Sequence, residues 1–118
     1  VAAKDELGRY GERLVAERLA AAGWQVLDRN WRGTRGELDV VAMDGRELVV
    51  VEVKTRSGSG FGHPAEAVTP AKLARLRRLA GQWLAEHEVR AGAVRVDVVA
   101  VRTDRGGEAR FEHLRGVL

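Results

Sequence analysis

Two carboxylates and one ammonium, Asp39, Glu52 and Lys54, stand in a stretch otherwise dominated by valine and leucine, GELDVVAMDGRELVVVEVKTR from Gly36 to Arg56. Carboxylates held among apolar side chains are costly to ionise unless a cation neutralises them. Oxygen donors with no thiolate or paired imidazole beside them suit a hard divalent ion, magnesium or manganese. The chemistry open to such a set is hydrolysis by a metal-activated water. The plain alternative is a solvated hairpin face laddered with Glu and Lys. Against it stand Val41, Leu48 and Val50, which alternate with the charges and would leave that face half-buried.

The elements that must position these groups are two strands. Leu38 to Met43 and Leu48 to Val53 are apolar and rich in β-branched residues, and Asp44–Gly45 between them is a strong hairpin signal. With those two residues in the loop, Met43 faces Arg46, Val41 faces Leu48, Asp39 faces Val50 and Glu37 faces Glu52. Side chains alternate along a strand, so Glu37, Asp39, Glu52 and Lys54 emerge on one side, with Asp39 diagonal to Glu52. Leu38, Val40, Ala42, Val49, Val51 and Val53 form the other, core side. Three carboxylates against one ammonium leave a negative surplus for a metal ion to offset.

The spacing of Asp39 and Glu52-Val53-Lys54 resembles the signature of the PD-(D/E)XK nuclease superfamily. The resemblance extends through Gly11-Glu12, Asn30-Trp31-Arg32, Gly36-Glu37-Leu38-Asp39, Val51 to Arg56, Phe61-Gly62 with Pro64, Lys72, and Arg95-Val96-Asp97-Val98. These look like the successive blocks of the bacterial YraN family, which is placed by fold among the Holliday-junction resolvase-like endonucleases. Val96 stands where that pattern has an aromatic residue, and Leu38 where the superfamily signature has proline. The resemblance implies a metal-dependent nuclease with Asp39 and Glu52 as direct ligands and the Val53 carbonyl completing the sphere. Glu12 and Glu37 are candidates for water-mediated or second ligands. Lys54, held protonated by its acidic neighbours, would stabilise the charge of the pentacovalent phosphorane or orient the attacking water.

Along the chain, Lys4 to Ala22 has a helical stripe of Leu7, Tyr10, Gly11, Leu14, Val15, Arg18 and Leu19, and Gly23 stops it. Glu12 lies at the edge of that stripe, either facing solvent or, as the resemblance implies, leaning to the metal site. Trp24 to Asp28 reads as a short strand leading into a connection with Arg29, Arg32 and Arg35, suited to phosphate contact, and Trp31, suited to packing. Ser57 to Pro64 is a glycine-rich loop that places Phe61 and His63 near the site. Thr69–Pro70 caps and opens a helix running to about Glu86. Its apolar face is Leu73, Leu76, Ala80, Trp83 and Leu84, Arg77 intrudes on that face, and Arg75 and Arg78 lie opposite. Ala93 to Val101 is a strand expected to pair in parallel with Leu48 to Lys54 across this helix. In it Arg95 and Asp97 form either a local ion pair or part of a layer around the acidic site. Ala109 to Leu114 adds a short edge strand.

The expectation is one domain over residues 1–118, an α/β fold with the restriction-endonuclease or resolvase-like core, a mixed sheet flanked by helices in the order α-β-β-β-α-β. The length suffices for a real core, and 45% hydrophobic content supports a globular fold. Absence of cysteine removes disulfides and thiolate metal sites and points to the cytoplasm. No stretch has the length of a membrane span. With several of the 17 acidic residues drawn into the site, the 20 basic ones leave a basic surface that fits a nucleic-acid partner. The function expected is hydrolysis of phosphodiester bonds of DNA, in branched or single-stranded form. Magnesium or manganese serves as cofactor, and Arg29, Arg32, Arg35, Arg56, Lys72, Arg75 and Arg78 serve as nucleic-acid contacts. Cutting both strands of a junction would call for a homodimer. The alternatives are a nucleic-acid-binding module that keeps the fold without turnover, and a protein-interaction domain whose acidic face is structural.

Overall fold

In a computed structural model of the chain, which describes residues 3–57, 66, 68–104 and 107–117, a five-stranded mixed sheet carries one helix on each face. The chain runs α1 (Ala3–Ala21), β1 (Gln25–Gly33), β2 (Gly36–Asp44), β3 (Glu47–Ser57), α2 (Pro70–Glu86), β4 (Ala93–Thr103) and β5 (Ala109–Leu114). The strands lie side by side in chain order, antiparallel except for β3 and β4, which α2 connects in parallel. Among the described residues no helix is long and apolar enough to cross a membrane.

Leu48 to Val53 is buried without interruption because both faces of β3 are covered. On the α1 side, Val15, Leu19 and Trp24 pack against Val40, Ala42, Val49, Val51, Val53, Val99 and Val101. On the α2 side, Leu76, Leu79, Ala80 and Trp83 pack against Leu38, Val41, Leu48, Val50 and Val96. Each fully buried valine or leucine stabilises by roughly 1.5–3 kcal/mol over its exposed state, so these two layers hold the sheet. The division into a core face and a charged face therefore holds only locally. Leu38 belongs to the α2 layer rather than beside Val40, and charge is confined to the end of the hairpin.

The hairpin turn also lies one residue further on than expected. Asp44 pairs with Glu47, Met43 with Leu48, Val41 with Val50 and Val40 with Val51, leaving Gly45 and Arg46 in the loop. Gly45 takes the left-handed conformation at φ 61°, which a type II′ turn requires at its first position. Arg95 from β4 fixes this closure by bonding both closing residues, Glu47 at 3.0 Å and Asp44 at 3.1 Å.

The arginine-rich segment after Asp28 is strand, not a connection: β1 pairs with β2 from Gln25 to Gly33. A register shift between Val26 and Asp28 and Asn30 at φ 51° break the alternation that would have marked it as one strand. Its hairpin tip is tied to α2. The Thr34 N–H donates to Gln82 Oε1 at 2.9 Å, Gln82 Nε2 donates back to Thr34 Oγ1 at 3.1 Å, and Arg78 Nη1 donates to the Thr34 carbonyl at 2.8 Å. Trp31 packs into the α2 layer.

The α2 start conforms to expectation, with Thr69 accepting from the Lys72 N–H at 3.2 Å and Pro70 following it. Arg77 is exposed rather than laid along the apolar stripe, whose place is taken by Leu79. In α1, Tyr10 is 37% exposed and outside the buried stripe, while the Arg18 guanidinium lies over the Phe111 ring at 4.5 Å. Ser57 to Pro64, apart from Ser57, falls outside the described residues, so Phe61 and His63 receive no structural placement.

α1 lies tight against the sheet at Gly11, where a Cβ would stand 1.8 Å from Thr55 Oγ1 and 2.8 Å from Thr55 Cβ. Alanine gains up to about 1 kcal/mol of helix propensity over glycine, but overpacking of this kind costs about 1–3 kcal/mol, and Thr55 Cβ cannot swing aside. Gly11→Ala is expected to destabilise the protein by about 1–2 kcal/mol in urea unfolding. Adding Thr55→Gly should recover part of that loss in a double-mutant cycle, whereas an unchanged or raised midpoint for Gly11→Ala alone would contradict the packing.

Candidate active site

The site begins where the β2 and β3 ladder stops. The two strands are paired from their turn as far as Val40 and Val51, after which β2 stays with β1, pairing Leu38 with Trp31 and Glu37 with Arg32. The next N–H of β3 aimed at β2, that of Val53, donates instead to Asp39 Oδ2 at 2.9 Å. A buried N–H without a partner costs about 1–3 kcal/mol, so the short aspartate side chain fills the gap that the departing backbone leaves. A strand residue presents its N–H and C=O to the same neighbour, which places the Val53 carbonyl at this fork as well.

Glu52 is buried beside the fork, its Oε2 in an ion pair with Lys72 Nζ from the first turn of α2 and 3.8 Å from Lys54 Nζ. Glu12 reaches in from α1 and engages Asp39, and Asp39 in turn engages Glu52. Burial, followed by the Glu52 charge, raises the Asp39 carboxyl to about 8, against the pull of the Val53 N–H. Burial likewise raises Glu12, with Glu37 and Glu52 adding to it, and this outweighs the Asp39 hydrogen bond and the Arg29 charge. The fork thus gathers Glu12, Asp39 and Glu52 beside two lysines, with Asp39 keeping its proton to about pH 8. Lys54 moves opposite to the expectation that acidic neighbours would hold its proton. Burial and then the adjacent Lys72 ammonium push it below the ordinary lysine range, and Glu52 only partly compensates.

A cleft of about 1050 Å³ opens at this end of the molecule, lined by Glu12, Glu37, Val53, Lys54 and, among cations, Arg9, Arg32 and Arg56. Glu37 is exposed and sits 3.8 Å from Arg32 Nε. Arg9 was not anticipated. Its signal was the spacing of Asp5, Gly8, Arg9 and Glu12, which puts all of them on one stripe of a helix, and all of them line the cleft. The other expected phosphate contacts divide. Arg56, in the cleft, bonds the Thr55 carbonyl at 3.0 Å. Lys72 is committed to Glu52 and Arg78 to Thr34. Arg29, Arg35 and Arg75 are exposed on β1, at the hairpin tip and on α2, and do not line the cleft.

Arg95 and Asp97 resolve into an ion pair of their own. Asp97, fully buried, accepts from Arg95 Nε at 2.9 Å, lies 2.8 Å from His113 Nε2 and takes the Gly116 N–H at 2.9 Å. Burial would raise this carboxyl, but those bonds prevail and hold it below its ordinary value. His87 stacks on Trp83 with ring centroids 4.0 Å apart, so neither described histidine joins the acidic cluster.

Among the described residues, no three histidine, aspartate or glutamate side chains are gathered in an arrangement ready to hold a metal ion. The donor chemistry at the fork nonetheless fits one. It offers carboxylate and carbonyl oxygens only, the Asp39 and Glu12 carboxyls are raised by burial and then by neighbouring carboxylates, and Glu12 Oε1 is buried with no hydrogen-bond partner. What stands against a preformed site is the Lys72 ammonium already seated on Glu52.

A sequence model of the family described as "Uncharacterised protein family UPF0102" matches residues 11–101. The chain is similar over nearly its whole length to several proteins named UPF0102. It is 64% identical over 115 residues to one of Beutenbergia cavernae, covering 98% of each chain. It is 57% identical over 115 residues to one of an Arthrobacter species, again covering 98% of each. Against one of Streptomyces coelicolor it is 54% identical over 117 residues, covering 98% of this chain and 90% of the relative.

The raised Asp39 carboxyl fixes the sign of a pH effect. An unfolded aspartate has a pKa of about 4, and the folded one about 8, so between these values the folded protein binds a proton that the unfolded chain does not. The resulting contribution to stability is full below about pH 4 and is lost as pH rises toward 8 and beyond. Stripped of divalent ions, the protein should melt at a lower temperature at pH 8.5 than at pH 6. Asp39→Asn, which keeps an oxygen for the Val53 N–H, should raise Tm at pH 8.5 and flatten the profile. A profile as steep in the variant as in the wild type would contradict the placement of that proton.

Proposed function

We propose that this chain, which belongs to the UPF0102 family, the YraN-like group, is a divalent-cation-dependent endonuclease that hydrolyses phosphodiester bonds of DNA. The observation that carries the reading is the buried crowding of carboxyls at the β2/β3 fork, Asp39 with Glu12 and Glu52, beside a cleft that Glu12, Val53 and Lys54 line and arginines rim. Burying like charges is destabilising, and a fold that keeps them at one point gains when a cation arrives. Supporting the reading are the resemblance to the PD-(D/E)XK signature and the resolvase-like order of elements. A cytoplasmic home, a branched or single-stranded substrate and a homodimer for paired cuts belong to the same proposal.

Asp39, Glu52 and the Val53 carbonyl would hold magnesium or manganese, with Glu12 and Glu37 ligating through water. When bound, the ion supplies Lewis acidity at a phosphoryl oxygen and lowers the pKa of water. Arg9, Arg32 and Arg56 would grip the phosphates on either side of the cut and hold the scissile group over the fork. Lys54, on the β3 face that carries Glu52 and lining the cleft, has a proton loosened by burial. That proton can bond the phosphorane oxygens as negative charge grows there, or be exchanged with the attacking water. Arg29, Arg35, Arg75 and Arg78 would follow the backbone beyond the cleft.

One observation favours a second reading. With Lys72 seated on Glu52 and no ready group of three metal ligands among the described residues, the same cleft would serve a nucleic-acid-binding module without turnover. Lys54→Met separates the two, since it keeps the side chain's length, leaves Asp39 and Glu52 in place and removes only the ammonium. For a nuclease, metal-dependent cleavage should fall about a hundredfold or more while equilibrium binding of the same DNA changes little. A binding module would have no cleavage to lose and would show a modest drop in affinity. In either case, neutralising Arg9, Arg32 and Arg56 together should reduce the slope of log affinity against log salt by about 2–3. An unchanged slope would remove the cleft from the phosphate path.

A further inference from the structure

We propose that Lys72 is a built-in counter-ion that occupies the candidate cation site, leaves Glu52 when a divalent ion binds, and is thereby released to contact a phosphate of the nucleic acid. This rests on the reading of the fork as a divalent-cation site.

Four features support it. Glu52 is buried, and both of its ion pairs use one oxygen, Oε2, which Lys72 contacts directly and Lys54 approaches only to 3.8 Å. An ammonium in contact with that oxygen and a divalent ion ligated by the same carboxylate compete, since they repel each other at close range in a poorly solvated pocket. Asp39, Glu12 and Glu52 interact with one another, yet no described group of three is arranged to take a metal. The cation that Glu52 does hold is the Lys72 ammonium. Lys72 and Lys54 also stand close enough to repel each other, a cost that departure of either one relieves.

The geometry selects Lys72 as the one to leave. Lys54 belongs to β3, the central strand of the sheet, two residues from Glu52. Lys72 is the ammonium in contact with Oε2 and reaches it from the first turn of α2; its side chain is about one-fifth exposed, against one-third for Lys54, and a rotamer change carries its head toward solvent without moving the backbone. Two sites that trade one ammonium are linked. Binding of the divalent ion frees a phosphate contact, and a bound phosphate holding Lys72 away opens the ion's place, so each ligand strengthens the other by the same factor.

The test needs no catalytic turnover. Manganese alone, without nucleic acid, is titrated into wild type, Lys72→Met and Lys54→Met, with free manganese followed by electron paramagnetic resonance and folding checked by circular dichroism. Each variant removes one positive charge beside Glu52, so a general electrostatic gain would appear in both. Displacement predicts about tenfold or more tighter manganese binding in Lys72→Met, a much smaller change in Lys54→Met, and a larger manganese-induced rise in Tm for Lys72→Met than for wild type. Binding in Lys72→Met equal to or weaker than wild type, or matched by Lys54→Met, overturns the inference while leaving the cation site standing. If neither wild type nor Lys72→Met binds manganese, both the cation site and this inference fail. Should Lys72→Met not fold, Lys72→Gln carries the same expectations.

Discussion

The hydrogen bond from the Val53 N–H to the Asp39 carboxylate, 2.9 Å long, is the contact on which the rest of the arrangement depends. It lets β2 part from β3 without orphaning a buried donor, and in doing so it draws a carboxyl into an apolar layer beside Glu52. The two effects cannot be separated. The atom that satisfies the backbone is the atom whose charge the burial opposes, and the carboxyl responds by keeping its proton to about pH 8. A carboxyl held in this way lowers stability as pH rises, and such perturbed groups are common where ionisable side chains are gathered for chemistry.

Everything around the fork holds that geometry. Helices on both faces bury β3 from Leu48 to Val53, so the strand cannot slide or twist to relieve the charge at its end. Gly11 lets α1 press against Thr55, which brings Glu12 down to Asp39, and the bonds of Thr34 to Gln82 and Arg78 anchor the diverging β1–β2 hairpin to α2. At the far end of the hairpin, Arg95 closes the turn through Asp44 and Glu47 and spends its remaining bonds on buried Asp97. That network keeps register at a distance from the chemistry.

Much of this was legible from residue types. The apolar runs, the Thr69–Pro70 cap and the parallel return of β4 follow from local patterns. The face that carries Glu52 and Lys54 survived an error in the turn, since moving the loop from Asp44–Gly45 to Gly45–Arg46 shifts each partner by two residues and leaves the side-chain alternation intact. The arginine-rich part of β1 was hidden by its irregular register and by Asn30, which together erase a period of two. Leu38 was assigned to the wrong layer because alternation was carried through a point where the ladder breaks. Least visible was Lys72 on Glu52, a contact between a helix start and a strand twenty residues apart in the chain. Only the seating of α2 over the sheet creates it, and after burial it is the next cause that lowers Lys54. The similarity to UPF0102 proteins spans these same elements and leaves the chemistry to be argued from the fork itself.

The central claim, that the fork hydrolyses phosphodiester bonds with the help of a divalent ion, is tested most directly by a cleavage panel. Single-stranded, duplex, flap and four-way-junction DNA are incubated with purified wild type and Asp39→Asn, in magnesium, in manganese and in chelator. The account predicts cleavage of at least one substrate by wild type, dependent on the metal and abolished in Asp39→Asn. Binding of these substrates by well-folded wild-type protein with no cut in any of them, or cutting that persists in chelator or in Asp39→Asn, would contradict it.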